Sequence, residues 1–183
     1  MKLTRRVPAL LCRYNVRVRL AIRDFHNDDF ELLWQIDQQC FPPQVSYSRE
    51  ELWVYLKVPG SFTLIAEPSS AAEGDRSAAA PEILGFVVAN LNRARAGHII
   101  TIDVLPGARR SGVGSALLRA AEERLNRKGC KWIRLETAVD NASALAFYKR
   151  HSFAVVRTIP QYYPNGIDAF VLKKDLPSAV ADG

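Results

Sequence analysis

The 183-residue chain has little of several features that mark whole classes of protein. It contains three cysteines, Cys12, Cys40 and Cys130, and their odd number and spacing argue against a disulfide framework and against a cysteine-based metal site. No apolar run reaches the about 20 residues that a membrane-spanning helix needs. We therefore expect a cytoplasmic protein with reduced thiols, no bound metal and no membrane partner.

Two common nucleotide-binding signatures are also missing. A phosphate loop of the GxxxxGK[ST] type would need a lysine after its glycines, and none follows Gly112 or Gly114. The GxGxxG dinucleotide pattern fails at its third glycine, because Leu117 occupies that position. A nucleoside-triphosphate site of the first kind and a dinucleotide site of the second are thereby excluded.

The chain is basic, with a formal net charge of +6 and a sequence pI near 9.4. Basic residues are dense in the first 23 positions, at Lys2, Arg5, Arg6, Arg13, Arg17, Arg19 and Arg23. Such a distribution suits an anionic partner, but a solvated basic surface is its commoner meaning, and we expect no nucleic-acid partner. We interpret residues 1–15 as a basic leader, 16–176 as one domain and 177–183 as a tail.

Hydrophobic periodicity switches repeatedly between two and about 3.6 residues, which is typical of a mixed α/β domain. Residues 68–81 are small and polar and predict a flexible insertion. The first predicted helix carries Asp37 among the apolar residues of its stripe, and Ser48 with Glu51 forms a capping-box pattern for the second. The periodicity predicts strands over 16–22, 62–67, 83–90, 98–104, 132–137, 153–159 and 168–172, and helices over 28–39, from 48, over 112–128 and over 141–150.

A glycine pair in "RRSGVG", residues 109–114, stands where a strand and a short turn lead into a helix. Glycines there let consecutive backbone N–H groups approach an anion, and the positive end of the helix dipole adds to the attraction. A tight turn into a core helix explains the same pattern equally well. The helix that follows is amphipathic, with Val113, Leu117, Ala121 and Leu125 recurring every four residues.

Two segments in order resemble the GCN5-related N-acetyltransferase (GNAT) superfamily: "DVLPGARRSGVGSALLRAAEERL" and "LETAVDNASALAFYKRHSF". Within that family the chain is most similar to the bacterial ribosomal-protein alanine N-acetyltransferases and the N-terminal acetyltransferases. The resemblance covers about residues 18–176. It implies an α/β fold with a mostly antiparallel, twisted sheet of about seven strands, splayed where the cofactor enters, and with helices on both faces.

The resemblance also implies acetyl-CoA as co-substrate. In the family the arginine and glycines of the first segment, here Arg109, Gly112 and Gly114, wrap the pyrophosphate, and the strand before them runs along the pantetheine. Asn141 and Tyr148 match the family's asparagine and tyrosine beside the thioester. The implied cofactor-binding residues are Ile102, Asp103, Val104, Arg109, Arg110, Ser111, Gly112, Val113, Gly114, Ser115, Asn141 and Tyr148.

Three residues are candidates for proton transfer. Glu136 lies inside an apolar strand twelve residues before Tyr148, a spacing at which the related bacterial enzymes carry a base and an acid. Burial is expected to raise the pKa of Glu136 toward a useful value, although a surface glutamate paired with Arg134 fits the pattern too. Tyr148 is either the general acid or a core residue at helical spacing. His98 begins its strand and is the second candidate base.

The acceptor is expected to be the α-amine of a protein N-terminus, a ribosomal protein being one candidate. The resemblance places Tyr47 in one wall of the peptide groove, and Tyr162 and Tyr163 in the opposite hairpin, whose Asn165-Gly166 also reads as a plain turn. A small amine or a lysine side chain is the alternative acceptor, and a non-catalytic acyl-CoA sensor is the alternative of another class. We expect a monomer or a homodimer. Ser152 departs from the family pattern, because it stands where a glycine usually closes the helix.

Overall fold

The computed structural model describes residues 19–69 and 82–177. The basic leader, residues 70–81 of the predicted insertion, and the tail from residue 178 lie outside this described part. Within it the strands are β1 (Leu20–Asp24), β2 (Ser61–Pro68), β3 (Gly85–Leu91), β4 (Ala96–Val104), β5 (Trp132–Ala138), β6 (Ala154–Ile159) and β7 (Ala169–Asp175). The helices are α1 (Phe30–Cys40), α2 (Arg49–Lys57), α3 (Val113–Arg127) and α4 (Ala142–Arg150).

The strands of the described ranges form one seven-stranded sheet in the order β1-β2-β3-β4-β5-β7-β6. Neighbouring strands run antiparallel, except β4 and β5, which are parallel. Parallel strands need a crossover connection, and α3 provides it. The predicted fold, a mostly antiparallel sheet of about seven strands, is confirmed.

Helices cover both faces of the sheet, as predicted. On one face the four-residue repeat of α3 is buried against Val87, Ile99 and Ile133, and α4 adds Tyr148 to the same cluster. On the other face α1 and α2 pack Leu33 and Leu52 against alternate residues of β2 and β3. Because side chains alternate along a strand, the two clusters take alternate positions of the same strands. We call these the α3 face and the α1–α2 face.

The sheet splays between β4 and β5. Their parallel ladder joins Ala96, Gly97 and His98 to Trp132, Ile133 and Arg134, and the described residues show no pairing between the two strands beyond His98. β4 nevertheless continues to Val104 and β5 to Ala138. The backbone groups of the second half of β4 are therefore left without a strand partner on the β5 side. This opening, which we call the splay, was predicted for the cofactor site.

β4 contains a bulge. Its register on β3 places Thr101 opposite Val88 and Ile99 opposite Ala89, so that Ile100 is the extra residue. A bulge sets two residues of one strand against one of its partner and locally increases the twist. His98, Thr101 and Asp103 consequently lie opposite Asn90, Val88 and Phe86, which are alternate residues on the α1–α2 face.

Local sequence signals set most of the helix ends. Ser48 caps α2, and its hydroxyl and the Glu51 carboxylate make the reciprocal bonds of a capping box, as predicted. α1 begins at Phe30, later than predicted, because residues 27–29 form a 3-10 turn in which the carboxylate of Asp29 accepts from the backbone N–H of His26. Ser152 has φ +66°, the left-handed conformation that its place after α4 predicted.

No helix of the described residues is long and apolar enough to cross a membrane. Over residues 19–69 and 82–177, no three His, Cys, Asp or Glu side chains gather where they could hold a metal ion. Cys40 and Cys130 are free thiols, and Cys12 lies outside the described residues.

Candidate active site

The glycine junction lies at the end of β4 nearest the splay. Gly112 precedes the first residue of α3 with φ +95°, a conformation that side chains rarely adopt. A Cβ added there would meet no described atom within 4 Å, and one added at Gly114 would only make ordinary contact, at 3.5 Å, with the ring of Phe147. Packing within the described chain therefore does not require glycine at position 114. The junction leaves open space in front of the first N–H groups of α3, which have no partner inside a helix.

The side chains around this junction bind the protein itself. The guanidinium of Arg109 donates to the backbone carbonyl of Val104 at 3.1 Å and to that of Cys40 at 3.4 Å. The Ser111 hydroxyl donates to the carbonyl of Ala108, and the Ser115 hydroxyl bonds to Nε2 of His151 at 2.9 Å. Arg110 has φ +62°. The turn is thus held by hydrogen bonds to the protein itself, and residues 109–112 are exposed.

Asn141 and Tyr148 occupy the two ends of α4. The side-chain oxygen of Asn141 caps the helix by accepting from the N–H of Ala144 at 3.1 Å. Tyr148 is buried in the cluster of the α3 face, with its ring against Phe147 and Phe153. Burial raises the pKa of the Tyr148 phenol well above its ordinary value, so the hydroxyl keeps its proton at neutral pH.

Glu136 and His98, the two candidate bases, are hydrogen-bonded to each other across the β4–β5 pair. Nε2 of His98 donates to Oε2 of Glu136 at 2.6 Å, and a guanidinium nitrogen of Arg134 donates to Oε1 at 3.1 Å. The Glu136 side chain is 8% exposed. It lies on the α1–α2 face, opposite in direction to its neighbour Leu135 on the α3 face. The carboxylate is ion-paired with Arg134, as one alternative expected, but it is buried and not at the surface.

The expected rise in the pKa of Glu136 is wrong. Burial does act to raise it, but the hydrogen bond from the His98 ring, the electrostatic effect of that ring and the positive charges of Arg134 and Arg157 together outweigh burial. The net pKa lies below the ordinary value of a glutamate, and the side chain is ionised at neutral pH. Residues from β4, β5 and β6 combine in this effect, and their proximity depends on the strand order.

Tyr47, Tyr162 and Tyr163 lie near one another, and Tyr55 of α2 joins them. The ring centroids of Tyr47 and Tyr55 are 5.0 Å apart, and those of Tyr162 and Tyr163 are 5.1 Å apart. The pKa of Tyr162 is raised chiefly by burial, and Glu136 and Tyr55 are near enough to contribute to the rise. Sequence reasoning missed Tyr55, which sits on an otherwise ordinary helix, where only its position next to Tyr47 in space distinguishes it.

Asp37 of α1 was also missed as a functional candidate. It holds the segment between α1 and α2 that contains Tyr47, which we call the Tyr47 turn. Its Oδ2 accepts from the backbone N–H of Tyr47 at 2.8 Å and from the Gln38 amide at 3.0 Å. The same Gln38 amide and the indole N–H of Trp34 donate to the Tyr47 carbonyl. Both backbone groups of Tyr47 are therefore fixed to α1. The place of Asp37 in an apolar stripe was the available signal.

Comparison with known proteins gives the family. The model of the "Acetyltransferase (GNAT) family" matches residues 30–153, more than half of the chain. This chain belongs to the GNAT acetyltransferase family. It is also 31% identical over 177 residues to an N-alpha-acetyltransferase of Sulfolobus acidocaldarius, covering 90% of this chain and 95% of that one. Several other N-alpha-acetyltransferases match over only 43% to 64% of their own length.

Solved GNAT structures share the fold. Ard1 from Thermoplasma volcanium superposes with a TM-score of 0.74 at 24% identity, covering 87% of this chain and 99% of that one. The ribosomal-protein-S18-alanine N-acetyltransferase from Escherichia coli gives 0.73 at 20% identity, covering 90% and 99%. NAA60 of Arabidopsis thaliana in complex with acetyl-CoA gives 0.70 at 20% identity, covering 86% and 99%. The predicted class, an acetyl-CoA-dependent N-acetyltransferase, is confirmed.

Proposed function

We propose that this GNAT enzyme transfers the acetyl group of acetyl-CoA to the α-amine of a protein N-terminus, with the two substrates meeting at the splay from opposite faces of the sheet. One observation carries the proposal. The hydrogen-bonded pair of Glu136 and His98 lies where β4 and β5 separate, and Glu136 is close enough to Tyr162 and Tyr163 to act on the pKa of both phenols, while β4 continues from there toward the open glycine junction of α3.

The residues at the junction fit the cofactor. The space at Gly112 is open, and no described neighbour of Gly114 requires a glycine there. Both features suit a pyrophosphate against the first N–H groups of α3. The backbone of β4 around Ile102, which has no strand partner on the β5 side, suits the amides of pantetheine, whereas the carbonyl of Val104 already accepts from Arg109. Acetyl-CoA would supply an activated acyl group as a thioester. Holding it would fall to Arg109, the turn at 110–115, the end of β4 and Asn141.

Glu136 is the proposed base. An ionised carboxylate on the acceptor side can take the proton that the amine loses as it forms the new amide bond, directly or through one water. Its lowered pKa makes it a weak base, and a weak base is enough for an α-amine. The pKa of an α-amine is about 7.7–8.0, against about 10.4 for lysine, so a much larger fraction is neutral at pH 7. His98 keeps the carboxylate ionised and orients it.

Tyr148 is the proposed acid. Its phenol keeps its proton because the side chain is buried, and it lies on the face of the sheet that carries α3. From there it can donate that proton to the sulfur of the departing thiol group, which would otherwise leave as a thiolate.

The tyrosines suit an extended peptide as acceptor. Tyr47, Tyr55, Tyr162 and Tyr163 give rigid apolar area with hydroxyl tips that can bond to a peptide backbone. The relatives called N-alpha-acetyltransferases support the same acceptor class. A ribosomal protein is one member of that class, and the fold shared with the Escherichia coli enzyme motivates its inclusion in a test.

The test offers matched acceptors. Peptides with a free N-terminus and no lysine are compared by mass spectrometry with the same peptides blocked at the N-terminus and carrying one internal lysine, and with small amines. We expect acetylation of the first set and at most traces in the others. Acetylation confined to lysine or to small amines would overturn the acceptor assignment and leave the enzyme class intact.

The cofactor assignment has its own test. Gly114→Asp puts a negative charge where the pyrophosphate is proposed, Gly114→Asn adds the same bulk without the charge, and Gly107→Asp adds the charge at another glycine with open space around it. Calorimetry should show coenzyme A affinity lost in Gly114→Asp, weakened in Gly114→Asn and kept in Gly107→Asp. Equal affinity in all three variants would remove the pyrophosphate from this turn.

A further inference from the structure

Two buried carboxyl groups meet beneath the splay on the α1–α2 face. Asp37 of α1 and Asp103 of β4 are both fully buried, at 0% exposure. Their side chains lie within hydrogen-bonding reach of each other. Among buried side-chain atoms of the described residues, Oδ1 of Asp37 and Oδ2 of Asp103 have no hydrogen-bond partner. A proton shared between these two oxygens would satisfy both of them.

The partners of the two groups differ. Oδ2 of Asp37 accepts from the Tyr47 N–H and from the Gln38 amide, two donors that favour a negative charge. Asp103 accepts from the Thr101 hydroxyl alone, through Oδ1. No described cation bonds to either carboxyl group. Two adjacent carboxylates in such surroundings repel each other, and one of them keeps a proton.

We propose that Asp103 is protonated at neutral pH and donates its Oδ2–H to Oδ1 of Asp37. This shared proton fixes the Tyr47 turn, which forms one wall of the proposed acceptor groove, to the end of β4 nearest the splay. Asp103 and Asp37 are then positioning residues. They act through Tyr47 on one side and through the β4 backbone on the other, and touch no substrate. The role in acceptor binding rests on the proposed function, whereas the shared proton does not.

The electrostatic surroundings agree with this proton. Burial raises the pKa of Asp37 to about 6 and raises that of Asp103 well above its ordinary value. Among the described residues, several ionisable groups of neighbouring elements act on the pair or feel its charge: Arg109 after β4, Glu51 of α2, Cys40 at the end of α1, Tyr47, and Tyr148 of α4. Arg109 alone in this group carries positive charge, and its guanidinium is bonded to the backbone carbonyls of Val104 and Cys40.

The position of Asp103 also bears on its predicted place among the cofactor-binding residues. The resemblance placed it among the cofactor-binding residues, but its side chain lies opposite Phe86 on the α1–α2 face and is fully buried. Only its backbone is available to a cofactor on the other side. Its flanking residues Ile102 and Val104 contact the cluster of the α3 face instead.

The pH dependence of unfolding tests the shared proton without any activity. A carboxyl group with a raised pKa binds its proton more tightly in the folded state, so its stabilising effect is present at low pH and is lost as pH rises through the folded pKa. The pH range from 6.5 to 7.5 lies above the pKa of Asp37. In that range each added pH unit should lower the wild-type folding constant by about a further factor of ten relative to that of Asp103→Asn, because the variant lacks the extra proton. Identical slopes would overturn the proposal. The expected slope would support it even if no peptide is acetylated.

Peptide kinetics test the positioning role. Asp103→Leu removes the donor and leaves Oδ1 of Asp37 unsatisfied, so the KM for the peptide should rise about tenfold, with a smaller change in kcat. Asp103→Asn offers an amide N–H in the same place and should keep KM within about twofold of wild type. Asp37→Ala removes the acceptor of the Tyr47 N–H and should also raise KM. Asp37→Asn keeps one oxygen for that N–H and offers an amide to Asp103, so it should keep KM within about twofold of wild type. Equal KM values in Asp103→Leu and Asp103→Asn, or a normal KM in Asp37→Ala, would overturn the positioning role.

Discussion

Two groups of carboxylates on the same face of the sheet show opposite behaviour. Glu136 and the Asp37–Asp103 pair are all deeply buried, and burial acts to raise the pKa of each. Glu136 nevertheless has a lowered pKa, because His98, Arg134 and Arg157 surround it. The aspartates have raised values, because no bonded cation offsets the effect of burial on them.

The comparison teaches that the partner, more than the depth of burial, decides the state of a buried acid. The same α1–α2 face can therefore keep one carboxylate ionised for proton acceptance and hold another as a neutral hydrogen-bond donor. Substitutions that remove the partners, one at a time, would break this division of roles.

Glu136→Gln should have the largest effect. The amide keeps the shape but cannot accept a proton, and help from a general base is typically worth about 10²–10⁴ in rate, so kcat should fall by that order while acetyl-CoA affinity is kept. Glu122→Gln is the matched control, because Glu122 is also ion-paired, with Lys174 at 2.8 Å, on α3. Normal turnover in Glu136→Gln would leave the carboxylate a structural ion pair and make His98 the base.

Tyr148→Phe should reduce kcat by a similar or smaller factor, within about 10²–10⁴, because only the hydroxyl is removed from a packed ring. Thermal unfolding and coenzyme A binding should stay close to wild type. If Glu136 and Tyr148 act in one step, the double variant should lose less than the product of the single losses. A strictly multiplicative loss would argue that they act in separate steps.

His98→Ala should raise the pKa of Glu136, the direction in which burial shifts the pKa values of Asp37 and Asp103. A hydrogen bond to a charged group contributes about 1.5–3 kcal/mol, and one pKa unit corresponds to about 1.4 kcal/mol, so the pKa of Glu136 should rise by about one unit or more. Carbon-13 titration of the carboxyl group measures this directly. An unchanged pKa would show that His98 is not the partner that keeps Glu136 ionised.

Arg134→Ala should have the smallest effect. The Arg134 side chain is 40% exposed, and solvent screens its charge. Exposed pairs contribute about 0.2–1 kcal/mol, so the pKa of Glu136 should rise by about half a unit or less. A shift larger than that of His98→Ala would reverse the ranking of the two partners.

Sequence predicted best where a short pattern decides the structure. The four-residue repeat from Val113 to Leu125, the Ser48–Glu51 capping box and the left-handed Ser152 were all confirmed, since each depends on neighbours within a turn or two. The resemblance predicted the splay and the sheet, whose strand order no local pattern contains.

The chemistry of the buried acids could not be predicted in the same way. His98 and Glu136 are 38 residues apart, and they meet only because β4 and β5 are parallel neighbours. Sequence analysis left the burial of Glu136 open and named Arg134 as a partner, but it did not pair Glu136 with His98, and the inferred direction of the pKa was wrong. Asp37 was visible as a polar residue in an apolar stripe, but its counterpart Asp103 comes from another element of the fold.

The bulge at Ile100 sets a parity rule for β4. In a regular strand, even-numbered and odd-numbered residues point to opposite faces, so His98 and Asp103 would point apart. One inserted residue between them changes the count and brings both to the side from which an acceptor is proposed to arrive. Deleting Ile100 would straighten the strand and leave His98 and Asp103 four residues apart, still on one face. Keeping Ile100 in a regular strand without the bulge would instead turn one half of β4 over relative to the other. The shared face of His98 and the buried Asp103 thus depends on how β4 accommodates its extra residue as much as on which residues it contains.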